Sequence, residues 1–515
     1  MYSEAYSAII RGIEGCIIHV EADVSDGLPC FLLTGCLSSE VKEAKERVRI
    51  ALKNCGFKIP VAKITINLSP ANIRKDGTCY DLAIAAAILS ASGVIKRQML
   101  EKAVLIGELG LDGKLKAVSG VLPMVYTAYE NNICCCLVPK DNEEEARFVN
   151  GVNIIGVDNL KEVVDILNSE EEYKKDIDYM HPTKKDSTIP DFADVSGQDM
   201  ARRAAEVAAA GMHNLLIIGP PGTGKTMIAK RIAGIMPKMQ FDECMEISKV
   251  YSVSGLLTKD MPVITERPYR APHHTITQSA LAGGGRYPKP GELSLASSGV
   301  LFLDELPEFS RQTLEVLRQP LEDGYVNVTR VDGNYTYPAK CMLVAAMNPC
   351  KCGFYPNRKK CTCTPLQVKN YLNRISQPFL DRIDICVETV QLMFDEVYPH
   401  DSKKKKQETS EEIRNRVLEA QKIQKERYKN EKFKFNSNLS PAGIKKYCNM
   451  SKEARDFLEN ISERMVFSAR VCHKILKVGR TIADIELKPF IEKEHIAEAV
   501  SYRSINSKYW KEGNE

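Results

Sequence analysis

The chain has 515 residues, more than one cooperative core usually holds, and about 150 residues per domain leads us to expect roughly three domains. With 44% hydrophobic and 27% charged residues it has the apolar supply of a globular protein, which excludes wholesale disorder, a collagen-like chain and a small disulfide scaffold. A net charge of +4 is too small for a histone-like polycation, so any contact with nucleic acid must come from local patches.

The opening segment MYSEAYSAIIRGIEG has no basic stretch leading into a long apolar run. No segment reaches the roughly 18 uninterrupted apolar residues of a spanning helix, so the chain reads as cytoplasmic, with no membrane partner. Seventeen cysteines, an odd number, suit a reducing compartment. Cys134, Cys135 and Cys136 lie in an apolar run and are expected to be buried thiols.

From 1 to about 167, short apolar or alternating runs (IIHVEADV, KITINLSP, AVLIGELG, VNIIGV) interleave with helical stretches such as DLAIAAAILSASG, which predicts an α/β module. Residues 168–190 are charged, carry two prolines and have no apolar period; they read as a linker. A second α/β domain is expected over 191–400, where NLLII, VLFL and CMLVAAM supply fully apolar strands of a parallel sheet. After a charged interruption at 401–406, residues 401–515 read as an all-α tail, because EEIRNRVLEAQKIQKERYKN and SKEARDFLENISERM are amphipathic at helical spacing. This tail holds 26 Lys+Arg against 18 Asp+Glu, a positive excess that suits either a solvated helical face or a nucleic-acid surface.

The strongest motif is GPPGTGKT: Gly219, Pro220, Pro221, Gly222, Thr223, Gly224, Lys225 and Thr226 fit G-x-x-x-x-G-K-[ST], with an apolar strand before and a helix after. Gly222 and Gly224 let backbone N–H groups approach phosphate oxygens. Lys225 offers a charge to the β/γ-phosphates, and Thr226 a hydroxyl to Mg²⁺. ATP with Mg²⁺ is the expected ligand. Downstream, VLFLDE ends a buried strand in two carboxylates, of which Asp304 suits the Mg²⁺ shell and Glu305 is placed to polarise the attacking water.

With DFADVSGQDMARRAAEVAAAGMHNLLIIGPPGTGKT, GELSLASSGVLFLDELPEF, AAMNPC and FLDRIDI in view, the chain resembles AAA+ ATPases of the magnesium-chelatase-like group, and over nearly its whole length the bacterial ComM/YifB family. The resemblance implies a P-loop sheet domain with a C-terminal helical lid, working as a homo-oligomeric ring, a hexamer, with sites between subunits. It assigns Asn348 as the sensor-1 residue that orients water, Arg382 as an arginine finger reaching a neighbour's γ-phosphate, and Arg470 as the lid's sensor-2 arginine. A salt bridge from Arg382 to Asp381 or Asp384 is the structural alternative. Two insertions mark the subgroup: 266–285, and a hairpin over 325–339 that offers Arg330 but an acidic tip. His273 and His274 are adjacent, expected to point apart on a strand, and so are read as loop residues and not as metal ligands.

Cys350, Cys352, Cys361 and Cys363 place four thiols within a short span joined by a turn-rich basic loop. A closed tetrahedral Zn²⁺ site is expected, with free thiols and a redox role as alternatives. The loop carries Arg358, Lys359 and Lys360 as a basic projection suited to DNA phosphates. KDGTCYDLAIAAAILS and VLIGELGLDGKLKAVSGVLPM resemble the Lon-protease-type fold, of the ribosomal S5 domain 2 kind. Cys79 stands where the nucleophile would, and near Leu122 in SGVLPM, where the general-base lysine would fall, there is no lysine, so a degenerate module used for binding or assembly is expected.

Two functions follow from the resemblance. One is an ATP-driven DNA motor, a helicase that branch-migrates single-stranded or branched DNA in recombination and natural transformation. The other is a chelatase-like remodeller of a protein or metal-insertion complex. A binding module without turnover is disfavoured, because every catalytic position is occupied.

Overall fold

The computed structural model describes residues 1–169, 189–285, 288–330, 333–391 and 407–510. Nearly all of the expected linker 168–190, the charged run 401–406 and the hairpin-tip residues Val331 and Asp332 lie outside them.

The N-terminal part is a mixed seven-stranded sheet in the order Cys30–Thr34, Lys63–Ser69, Glu14–Ser25, Tyr2–Arg11, Ala103–Leu105, Cys135–Pro139, Asn153–Val157. Alternation decides which face is buried: in Lys63–Ser69 it is Ile64, Ile66 and Leu68 that turn inward. Helix Asp81–Ala91 is apolar all round and correspondingly buried all round, packed across the first two strands. Its one acid, Asp81, is buried against a two-point grip from Arg47 at 2.8 and 3.0 Å. The cysteine triplet departs from expectation. Cys136 is buried on its strand, but Cys135 is half-buried and Cys134, which precedes the strand, is exposed.

The second sheet has five parallel strands in the order Tyr269–Arg270, Val300–Leu303, Met342–Met347, Leu215–Ile218, Ile385–Glu388. Three of them have every residue buried, as a sheet covered on both faces requires. Leu215, Ile217, Val300, Phe302 and Val344 pack toward the helical lid, whereas Leu216, Ile218, Leu301, Leu303 and Leu343 pack toward residues 306–380. The lid comprises helices Ser410–Arg427, Pro441–Tyr447, Lys452–Met465, Ala469–Ile485 and Lys493–Trp510. The first four open on Thr or Ser caps, Thr409 in a reciprocal capping box with Glu412. No helix of the described residues is long and apolar enough to cross a membrane.

Two features bind these parts. The apolar cluster under the N-terminal sheet continues into Met245, Ile247, Val250 and Tyr251 of helix Phe241–Val253, which packs on helix Val121–Glu130. The lid is pinned to the P-loop sheet through a buried polar seam, where Asp384 faces Lys474 Nζ and His213 Nδ1, each at 3.3 Å. Lys474 Nζ and Arg503 also donate to the Ile383 carbonyl, each at 2.7 Å.

Burial alone would raise the Asp384 carboxyl, but the Lys474 ammonium and His213 hold it well below the usual carboxylate range. A depressed acid contributes stability above its unfolded value near 4 and loses it on further acidification, so the pair is fully formed at neutral pH. Replacing Lys474 by Met is expected to cost about 3 kcal/mol or more in urea unfolding of the lid, because it strands a buried charge. The double variant Asp384→Asn/Lys474→Met should recover much of that loss.

Candidate active site

The loop 219–224 joins strand Leu215–Ile218 to helix Lys225–Ile235 at the carboxyl ends of the parallel strands. Gly222 and Gly224 adopt φ of +76° and +83°, so here it is the left-handed backbone that calls for glycine, since a Cβ at either would meet open space. At Gly219 contact calls for it: a Cβ would come within 2.0 Å of Thr389 Oγ1. Lys225 Nζ donates to the carbonyls of Gly219 (2.9 Å) and Pro220 (2.8 Å) and to Asn348 Oδ1 (3.1 Å), which brings the expected sensor residue to the P-loop lysine. Burial lowers the Lys225 pKa, opposed by Asp304 and Glu305; an ammonium held among neutral oxygens gains from a phosphate.

Thr226 Oγ1 donates to Asp304 Oδ2 at 2.9 Å, so hydroxyl and carboxylate converge as the oxygen pair a hard cation such as Mg²⁺ would take. The other Asp304 oxygen accepts the Glu305 N–H at 2.9 Å. Glu305 is a non-glycine residue at φ +52°, a costly conformation, and its carboxylate is largely exposed. Its Oε2 lies 3.6 Å from His274 Nδ1.

That contact corrects one expectation. The His273 and His274 rings do not point apart; their centroids are 4.0 Å from each other, because both residues follow the two-residue strand Tyr269–Arg270 in irregular chain where alternation does not apply. Sequence reasoning also passed over Gln198. Held at φ +57°, it donates to the carbonyls of Val390 (2.6 Å) and Thr223 (3.4 Å) and accepts from the Val390 N–H (3.2 Å), clamping the P-loop to the chain after the last strand. Thr223 and Thr389 share a hydroxyl hydrogen bond of 2.7 Å in the same clamp. The motif SGQD was visible, yet nothing in it marks a left-handed glutamine.

The two arginines stand elsewhere. Arg382 donates to Glu322 and, at 3.2 Å, to the Pro378 carbonyl; neither Asp381 nor Asp384 is its partner. Arg470 NH1 lies 3.7 Å from Asp381, so it stands beside the finger position. Among the described residues no hydrogen bond or ion pair joins either arginine to 219–226. The sheet explains why. Ile385 pairs with Leu215 and Glu388 with Ile218, so Arg382 precedes the amino end of its strand while the P-loop leaves the carboxyl end of the neighbouring one.

Beyond Asn348, the thiols of Cys350, Cys352 and Cys361 lie 3.3, 3.6 and 3.8 Å apart, and with Cys363 all four fall within 4.8 Å of one another. Sulfur atoms at about 2.3 Å from a tetrahedral Zn²⁺ are about 3.8 Å apart, so the set fits that ion. Against burial, the N–H groups of Phe354 and Thr362 and the neighbouring thiols hold Cys352 down at about 6, whereas burial pushes Cys361 up to about 11. The knuckle touches the P-loop: a Cβ on Gly353 (φ +87°) would fall 2.5 Å from Pro221 Cδ. Arg358, Lys359 and Lys360 are exposed, Arg358 over the Tyr355 ring and Lys360 bonded to Gln391. The hairpin Tyr325–Arg330/Gly333–Pro338 packs on the N-terminal module, where the Arg11 guanidinium lies against Gly333.

In the N-terminal module the Cys79 thiol is buried, bonded to the Ala8 carbonyl at 3.4 Å and pushed up to about 12 by burial, which leaves it without thiolate at neutral pH. Leu122 is also buried, its N–H donated to Glu145 at 3.0 Å.

Comparison with known proteins agrees with this architecture part by part. Residues 191–397 match the family described as magnesium chelatase, subunit ChlI; residues 20–142 match subunit ChlI of Mg-chelatase; and residues 407–503 match the ChlI C-terminal family. The chain is 40% identical to competence protein ComM of Haemophilus influenzae over 512 residues, 97% of each chain. It is likewise 40% identical to the uncharacterized protein YifB of Escherichia coli over 96% of both. A shorter similarity, 30% over 128 residues, links 25% of the chain to 23% of Lon protease 2 of Bacillus subtilis. Full-length identity at this level, together with a P-loop, an acidic strand end and an asparagine bonded to the P-loop lysine at one sheet edge, places the chain in the ComM/YifB family of magnesium-chelatase-like AAA+ ATPases.

Proposed function

We propose that the chain is a ring-forming, ATP-hydrolysing motor that acts on branched or single-stranded DNA, with each nucleotide site shared between two copies. One observation carries this: the P-loop and the pair Arg382 and Arg470 occupy opposite ends of one parallel sheet, so a single chain cannot bring them to the same phosphate. Lys225 binds the β/γ-phosphates, and Asn348 orients the lysine and the attacking water. Glu305 draws the proton from that water, its carboxylate being largely exposed. Thr226 and Asp304 would hold Mg²⁺, which when bound neutralises charge on the phosphate oxygens. Arg382 and Arg470, from the neighbour, stabilise the charge that spreads during transfer.

The DNA reading is supported by the exposed Arg358, Lys359 and Lys360 on the cysteine knuckle, and by a relative named as a competence protein. Zn²⁺ at Cys350, Cys352, Cys361 and Cys363 would make that projection rigid. A chelatase-like remodeller of protein complexes is the second reading, favoured by the ChlI families matched in all three parts of the chain.

ATPase rate measured with and without single-stranded and forked DNA over a salt series separates the two. Stimulation that falls steeply with salt, and falls again when Arg358, Lys359 and Lys360 are neutralised, is expected for the motor. No binding at low salt with ATP present would transfer the assignment to the remodeller. Within the site, Glu305→Gln should keep ATP binding and lower turnover by about 10² or more. Arg382→Ala chains should regain hydrolysis when mixed with Lys225→Ala chains, because only mixed rings place an intact P-loop beside an intact finger. For the knuckle, metal analysis should find about one zinc per chain, lost in Cys361→Ser.

A further inference from the structure

Most arginines that build this fold are saturated by their partners. Arg270 grips both oxygens of Glu292 at 2.7 Å, and Arg47 grips Asp81 at 2.8 and 3.0 Å. Arg318, Arg382 and Arg503 depart from that pattern, and the first two share one cleft of about 290 Å³ formed by Glu315, Arg318, Gln319, Glu322, Asp323 and Arg382. Arg318 holds Glu315 through NH1 alone, and Arg382 holds Glu322 through NH2 alone. In both, Nε is buried and has no hydrogen-bond partner among the described residues. Leaving a buried guanidinium N–H unbonded is costly, and a fold repeats that cost at neighbouring positions where an anion from outside will take the donors.

Their positions are fixed relative to each other. Glu315 Oε2 accepts from Arg318 while Oε1 accepts from Ser376 Oγ at 2.6 Å. Ser376 caps the short helix Gln377–Leu380, two residues before Arg382. The carboxylate that steadies Arg318 therefore also steadies the turn that carries the finger. Arg318 is about one-third exposed and Arg382 about one-sixth, so both guanidiniums open to the cleft without lying free in water.

We infer that Arg318 is a further arginine supplied, beside Arg382 and Arg470, to the terminal phosphate of a nucleotide held by a neighbouring copy of the chain. The inference rests on the shared-site reading above. Phosphoryl transfer spreads charge over three equatorial oxygens, and one planar guanidinium addresses two of them. Arg318, from the same cleft as Arg382, adds donors for these oxygens beside those of Arg382 and Arg470. Glu315 and Glu322 each hold one guanidinium nitrogen, Arg382 NH1 also donates to the Pro378 carbonyl, and the Nε groups of both arginines have no partner among the described residues.

The test compares Arg318→Ala and Arg318→Lys with wild type in assembled rings. Arg318→Ala should lower kcat about 100-fold, the lower end of the range for loss of one preorganised donor. Affinity for ATP in its own P-loop should stay within about threefold of wild type, because that loop is untouched. Arg318→Lys, which keeps the charge but not the fork, should fall between the two. Mixed with Lys225→Ala chains, Arg318→Ala chains should regain hydrolysis, as Arg382→Ala chains do; a chain that had merely misfolded would not be rescued. If the Arg382→Ala mixture recovers and the Arg318→Ala mixture does not, Arg318 has no role across the interface and the shared site stands. If Arg318→Ala turns over like wild type, the inference is overturned directly. If neither mixture recovers although subunits exchange, the shared-site reading itself fails and takes this inference with it.

Discussion

Every strand of the P-loop sheet runs in the same direction, and that polarity sets the P-loop and Arg382 at opposite ends of the sheet. Phosphate-binding N–H groups must lie at the carboxyl ends, where the loop after Ile218 turns into a helix. Arg382 is committed to the amino end by the pairing of Ile385 with Leu215, and Asn214 locks it there by donating to the Arg382 carbonyl at 2.9 Å. No side-chain rotation closes a gap of four strand residues at about 3.3 Å each plus the flanking turns. On the proposed shared-site reading, assembly would be the remaining route and turnover would depend on a neighbour.

The same sheet holds its phosphate end rigid from three directions. Gln198 and Thr389 clamp the loop from the side of the last strand, Asn348 meets Lys225 from the central strand, and the cysteine knuckle presses Gly353 against Pro221. Such a loop loses little freedom when it takes a phosphate, which is how a preorganised site lowers the cost of binding and of charge development. It also means that the knuckle is mechanically part of the nucleotide site: Cys350 follows Asn348 by two residues and Gly353 follows Cys350 by three. A tetrahedral ion at the four thiols would fix that short path at both ends.

Much of this was legible in the chain itself. Fully apolar runs announced the buried parallel strands Leu215–Ile218, Val300–Leu303 and Met342–Met347, and alternation announced Lys63–Ser69, because in both cases burial dictates composition. The P-loop and the acids after Leu303 were legible because phosphate chemistry restricts residue types at fixed spacing. What escaped was set by long-range contact. Gln198 depends on Val390, nearly two hundred residues away, and a glutamine carries no mark of a left-handed φ. His274 was misjudged because the two-residue strand before it ends too early for alternation to govern it. Cys134 was misplaced because an apolar run extends one residue beyond the strand that buries it.

The N-terminal module is joined to the ATPase half through a buried position. A lysine in place of Leu122 would sit at the start of helix Val121–Glu130, the helix that now packs on Phe241–Val253 of the ATPase half. That position is fully buried, and its N–H is spent on Glu145, which also accepts from Ser252 of the ATPase helix. Gly120 donates to the Ser252 carbonyl at 3.0 Å, and its left-handed φ of +82° brings the two backbones into register. A lysine there would bury an ammonium with its one nearby acid already engaged by Ser252, Leu122 and Asn142. Leu122 thus sits in the buried joint that couples the N-terminal module to the ATPase half.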